Sequence, residues 1–243
     1  FYECEYSGSW LVPVVTIDGL SRGSDYELSF TNNINVGTAT VTITGVNTHY
    51  GTITKTFNIT PKDFSKIGVD VSVETGWYEY DGTEKCPNVS FGGLTEGVDY
   101  TVSYKNNVNA GTATVVLTAK GNFSGSVSST FFIGQKYITE QDVTLEYEKV
   151  VYDGKEKCPK VTIKGLEEGV DYTVVYKNNI NVGYAYAEII LKNDNYDIDG
   201  VARCPEFQIT RPDHTHNYKN TNKLHSVPIF KYNIINIIYI YLI

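Results

Sequence analysis

The sequence predicts an all-β chain made of three tandem copies of one small sandwich-like unit. Three observations point there. The chain is rich in tyrosine and glycine (20 and 21 residues); aromatic and β-branched residues suit half-buried pleated surfaces, and glycine and asparagine supply the turns between them. The chain also repeats itself at a long period, and a repeat read off the sequence is evidence about architecture. Within each copy, apolar residues alternate with polar ones, the period of a strand with one buried face.

The repeat is specific. Tyr6, Tyr80 and Tyr152 each open a copy, 74 and then 72 residues apart by their numbers. Gly-Leu-x-x-Gly-x-Asp-Tyr recurs at residues 19–26, 93–100 and 165–172, and Asn-Asn-x-Asn-x-Gly at residues 32–37, 106–111 and 178–183. The first motif leads into a strand whose inward face carries Tyr100, Val102 and Tyr104, with Tyr26, Leu28, Phe30 and Tyr172, Val174, Tyr176 as counterparts. The next strand places Ala113, Val115 and Leu117 on one side, matched by Ala39, Val41, Ile43 and Ala185, Ala187, Ile189. Asparagine and glycine tolerate positive φ, so the motif between these strands predicts a hairpin loop. Asp81-Gly82 and Asp153-Gly154 predict tight turns, and each copy ends on an aromatic-x-Ile strand.

Short strands separated by turns about ten residues apart indicate an immunoglobulin-like β-sandwich. No stretch keeps a 3.6-residue apolar period, so no substantial helix is expected. The boundaries predicted are 1–60, 61–134 and 135–210 for the three repeats, the first shortened at its N-terminus, and 211–243 for a tail. Residues 69–73 and 143–147 alternate, and are expected to form the first strand of the following repeat. Linkers are then expected around residues 61–68 and 134–142.

At this point the residues resemble a known family. Tyr-Asp-Gly, Lys-Cys-Pro, Glu-Gly-Val-Asp-Tyr-Thr-Val, Asn-Asn-x-Asn-x-Gly-Thr-Ala-Thr-Val, Phe-x-Gly and a terminal Phe-x-Ile are similar to the MBG and YDG-type immunoglobulin-like repeats of bacterial surface proteins. The resemblance covers about residues 1–210. It implies a non-catalytic extracellular spacer in a cell-surface or cell-wall-attached protein or a secreted one, or part of an adhesin. It brings no catalytic motif and no cofactor. Neighbouring repeats are the partners it implies, together with a host or cell-wall glycan or protein if the chain binds anything. Copy one departs from the pattern at Ser7 and lacks Lys-Cys-Pro; copy three carries Tyr184 and Tyr186 in place of threonines and a longer segment at 193–204. The alternatives are a carbohydrate- or protein-binding module, and accessory domains of a larger secreted enzyme.

Composition and charge narrow the partners. Hydrophobic residues make up 41%, enough to pack a core, and the net charge of −8 argues against nucleic acid, which needs clustered Lys and Arg. The four cysteines lack Cys-x-x-Cys spacing. Only repeat three offers an intradomain pair, Cys158 with Cys204; the alternative is four thiols including Cys4 and Cys86. Tyr184 and Tyr186, if they share a face with Tyr196, would form a stacking platform for a sugar; Trp10 and Trp77 are the other aromatics not assigned to the core. Asp25, Asp99 and Asp171, with Glu96 and Glu167 nearby, are turn residues or calcium ligands. His214 and His216 with Asp213 have metal-ligand chemistry but lie in a polar segment outside the repeats. Asn58, Asn88 and Asn122 sit in glycosylation tripeptides, which Asn-, Thr- and Ser-rich chains produce by chance.

The two ends carry expectations of their own. The chain begins at Phe1 and contains no methionine, which suggests a cut N-terminus and leaves a signal peptide unreadable. After Thr210 the composition shifts to Ile, Asn, Tyr and Lys. The apolar stretch 229–243 is interrupted by Lys231, Asn233 and Asn236 and is shorter than the roughly 20 residues of a spanning helix, so no membrane span is expected. Read-through or a shifted frame would explain that tail.

Overall fold

The computed structural model describes residues 2–213. The architecture is all-β, relieved by one helical turn at Gly200–Arg203 and two 3-10 turns at Phe64–Lys66 and Glu140–Asp142. Each repeat builds the same four-stranded sheet. In repeat two, Tyr100–Lys105 pairs antiparallel with Gly111–Ala119, which pairs antiparallel with Ser126–Gly134, which pairs parallel with Tyr78–Glu79. Tyr26–Thr31, Gly37–Gly45, Thr52–Thr60 and Glu3–Glu5 reproduce that order in repeat one. Tyr172–Lys177, Gly183–Leu191, Glu206–Thr210 and Lys149–Val151 reproduce it in repeat three.

A second layer covers the sheet in repeats two and three. The strand Val71–Val73 pairs with Val89–Phe91, and Val143–Leu145 with Val161–Ile163. The alternation at 69–73 and 143–147 marks strands as expected, but Lys62–Asp63 and Lys136–Ile138 come before them, so they are not the first of their repeats. The core lies between the layers: Phe64, Phe91, Tyr100, Val115 and Leu117 in repeat two, and Ile138, Val161, Ile163, Tyr172, Ala187, Ile189 and Ile198 in repeat three. Side chains of a strand point alternately to its two faces, which is why Ala113, Val115 and Leu117 are all buried. Each fully buried Val or Leu of this kind stabilises the fold by about 1.5–3 kcal/mol. The core-facing tyrosines keep a polar handle: buried Tyr172 donates from Oη to the Val161 carbonyl at 2.9 Å, and half-buried Tyr176 from Oη to that of Pro159 at 2.6 Å. Burial pushes the Tyr176 phenol up to about 12, so it remains a donor. Repeat one forms its four-stranded sheet without a second layer among the described residues, and Val12 and Val14 stand exposed.

The expected linkers are not linkers. Lys62–Asp63 pairs parallel with Phe123–Ser124, and Lys136–Ile138 with Tyr196–Ile198. Phe64, which follows its strand at once, and Ile138, the last residue of its own, are buried. Their apolar side chains belong to the next core, so the chain enters it immediately. Between the last strand of one repeat and the first of the next there remains one residue, Pro61 or Gln135.

The helical turn Gly200–Arg203 occupies the longer segment of repeat three. Asp199 caps it, accepting the Val201 N–H at 3.0 Å, and Ala202 contributes to the core.

Candidate functional site

The most developed constellation is the joint between consecutive repeats, and the Asn-Asn-x-Asn-x-Gly loop builds its lower half. The first asparagine (Asn32, Asn106, Asn178) takes φ of 56°, 55° and 59°, a left-handed conformation asparagine tolerates better than most residues. The second is held against the body of its repeat. Asn107 Nδ2 donates to the Lys85 carbonyl at 3.1 Å while its own carbonyl accepts the Lys85 N–H at 2.7 Å. Asn33 with Leu11, and Asn179 with Lys157, repeat both bonds. The third asparagine and the residue after it follow closely on this anchored residue.

The next repeat meets them with the turn that follows Gly111–Ala119 or Gly183–Leu191. Asn122 Oδ1 accepts the Val36 N–H at 2.9 Å, and its Nδ2 donates to Asn35 Oδ1 at 3.0 Å. Asn195 does the same one joint further on, accepting the Ala110 N–H at 2.9 Å and donating to Asn109 Oδ1 at 3.2 Å. The main-chain carbonyls of Asn122 and Asn195 accept the N–H of Lys62 and Lys136, the second residue past each boundary. Beside each amide lies an aromatic pair set edge to face. Tyr6 and Phe123 have centroids 5.4 Å apart at 83°, and Tyr80 and Tyr196 are 5.3 Å apart at 84°. The first joint adds an ion pair, Lys66 to Glu5 at 2.6 Å.

Two hydrogen bonds and an aromatic pair together stabilise a joint by on the order of 2–3 kcal/mol. Domains joined by small interfaces move freely by default. Here the connector is one residue, so the two surfaces cannot separate far and the clamp re-forms at high effective concentration.

A second repeated device ties Tyr-Asp-Gly to Lys-Cys-Pro. The Lys85 ammonium binds Asp81, and Lys157 reaches Asp153 at 2.6 Å. The hydrogen bond from Lys85, then those from Thr83, hold the Asp81 carboxyl below its usual range; those from Lys157 and the Lys155 N–H do so for Asp153. A carboxylate with a lowered folded pKa contributes stability above the unfolded value, about 3.9, and loses it as pH falls toward the folded value. Repeats two and three are therefore expected to lose this contribution as the pH falls below about 4. In thermal melts between pH 6 and pH 2.5, an Asp81→Asn/Asp153→Asn chain should show a flatter acid dependence than the native one. Equal slopes would contradict this role.

The residues singled out in the sequence fall as follows. Asp25, Asp99 and Asp171 close turns: their Oδ2 atoms accept the N–H of Ser21, Thr95 and Glu167 at 2.7, 2.9 and 2.8 Å. Glu96 and Glu167 belong to the same turns, and no group of three metal-ligating side chains occurs among the described residues. The Cys158–Cys204 bridge is not formed; all four cysteines are free. Cys158 is exposed, its Sγ 3.5 Å from Asn179 Nδ2, and Cys204 is half-buried.

Tyr184 and Tyr186 share the outward face of Gly183–Leu191, but Tyr196 does not join them. It belongs to the strand paired with Lys136–Ile138 and packs on Tyr80. Tyr184 borders an open groove of about 790 Å³ with Val201, Cys204, Phe207 and Gln208. Trp10 lies beside the 32–38 loop, and Trp77 packs against Gly134. Asp213 is the last described residue; His214 and His216 lie outside the described residues. Both ends of the Asn122 amide are engaged, so a glycan on its nitrogen would displace the joint.

Sequence reasoning missed the joint. Its signal was present: Asn-Phe and Asn-Tyr recur at the same turn of repeats two and three, while repeat one has Thr48-His49 there. No family model, curated protein or solved structure matches the chain.

Proposed function

We propose that the chain is a non-catalytic spacer: tandem immunoglobulin-like β-sandwiches of the MBG and YDG kind, standing as a semi-rigid extracellular segment of a bacterial cell-surface or secreted protein, such as an adhesin. The observation that carries this reading is the joint. It occurs twice, with the same atoms in the same roles, across connectors of one residue. Each repeat adds about 30 Å of length, from nine-residue strands rising about 3.3 Å per residue. Three repeats set end to end would reach roughly 90 Å.

A test places residues 2–213 between a lipid anchor and a fluorescent tip on a supported bilayer. A Gly/Ser chain of equal length has a similar mean reach, roughly 80 Å, but fluctuates widely. The spacer is expected to give a narrow distribution of tip heights, and a distribution as broad as that of the Gly/Ser chain would remove the reading. The extracellular setting is tested separately. An antibody to the repeats should label intact source cells, and labelling only after permeabilisation would contradict it.

One observation favours a second reading, a binding module: Tyr184 is 61% exposed at the rim of the groove in repeat three. Glycan-array binding lost on Tyr184→Ala would support it.

A further inference from the structure

Repeat three ends in the same surface that repeats one and two present to their successors. The Tyr152 N–H donates to the Thr210 carbonyl at 2.9 Å, as Tyr6 does to Thr60 and Tyr80 to Gly134, both at 2.9 Å. Asn178 takes the same left-handed φ and Asn179 makes the same bond to Lys157. Asn181 and the Val182 N–H are therefore set where Asn35–Val36 and Asn109–Ala110 stand in the earlier loops. What differs is the cover. Ile34, Val36, Val108 and Ala110 are partly buried, whereas Ile180 and Val182 are 42% and 44% exposed.

We propose that this end of repeat three is a docking site for one more unit of the same fold, through a turn carrying asparagine followed by Phe or Tyr. The asparagine amide would accept the Val182 N–H and donate to Asn181 Oδ1, and the ring would set its edge against Tyr152. The chemistry selects this occupant. A lone hydroxyl or carboxylate cannot offer a separate donor and acceptor at the two ends of one planar group. A second copy of this chain fits worse. Its Asn122 and Asn195 are already engaged, and its remaining turn offers Thr48 and a His49 that lies 3.6 Å from Asp25. The site rests on the joint geometry alone, so its failure would leave the spacer reading standing.

Amide hydrogen exchange tests it. In the native chain, the Val36 and Ala110 N–H groups are expected to exchange slowly and that of Val182 quickly. In a chain extended by a second copy of residues 135–210 joined directly to Thr210, Val182 should slow about tenfold, the protection one such hydrogen bond supplies. Asn195→Ala in the appended copy alone should restore fast exchange. Slow exchange at Val182 in the native chain would overturn the proposal, as would unchanged exchange beside an appended unit whose core amides are protected. Should that unit fail to fold, residues 61–134, which carry Asn122-Phe123, take its place, with the same result expected and the same result contradicting.

Discussion

Phe64→Ala is expected to unfold repeat two well before repeat three. Phe64 is 2% exposed, its ring 5.0 Å from Phe91 and 5.8 Å from Phe123. Removing a buried phenylalanine costs about 3–5 kcal/mol. A unit of this size has only about 4–11 kcal/mol to lose. The effect should also cross the boundary, because Phe123 is the ring that meets Tyr6 of repeat one. Repeat three holds Ile138 at the corresponding place and fills its core with Ala202 from the helical turn, so it should be spared. Hydrogen exchange reads this out: protection at Val115 and Leu117 should collapse while that at Ile189 persists. A loss of less than about 1 kcal/mol would mean that Phe64 does not seal the core as its burial indicates.

Asn107→Ala is expected to cost about 1–3 kcal/mol, the penalty for leaving a buried carbonyl without its donor. Asn107 is one of the few buried polar residues, and it alone ties the loop to Lys85 by both side chain and main chain. Asn107→Asp separates the causes. It keeps the volume and lacks the donor, so it should be at least as damaging as alanine. If aspartate were tolerated, the hydrogen bond would not be the reason for the residue. Because Asn109 and Ala110 follow on the same loop, either substitution should also loosen the joint to repeat three. Equilibrium denaturation gives the first quantity, and exchange at the Ala110 N–H gives the second.

What could be read in advance depended on what repeats locally. Alternation over Tyr100–Lys105 and Gly111–Ala119 revealed strands, their inward faces and the hairpin between them, because a period of two residues is visible within one strand. The turn role of Asp99 was legible for the same reason: its partner, Thr95, is four residues away. The connectors were misjudged. Pro61, Lys62, Gln135 and Lys136 look like linker residues, and nothing nearby shows that their neighbours pair with strands some sixty residues on. The joint was hidden by distance too, since Asn122 meets Asn35 across 87 positions. Asn122 read alone looks like a glycosylation tripeptide, and Tyr196 read alone looks like a free aromatic. Only the pairing of each with the preceding repeat gives them a role.

The amide clamp is expected to make three small units into one semi-rigid body. Dyes attached bioorthogonally at positions 55 and 160, both exposed, report the distance between repeats one and three in single molecules. The native chain is expected to give one narrow distribution, and Asn122→Ala/Asn195→Ala a broad one, with the melting of the individual repeats little changed. A native distribution as broad as the variant's, or a variant as narrow as the native chain, would contradict the account.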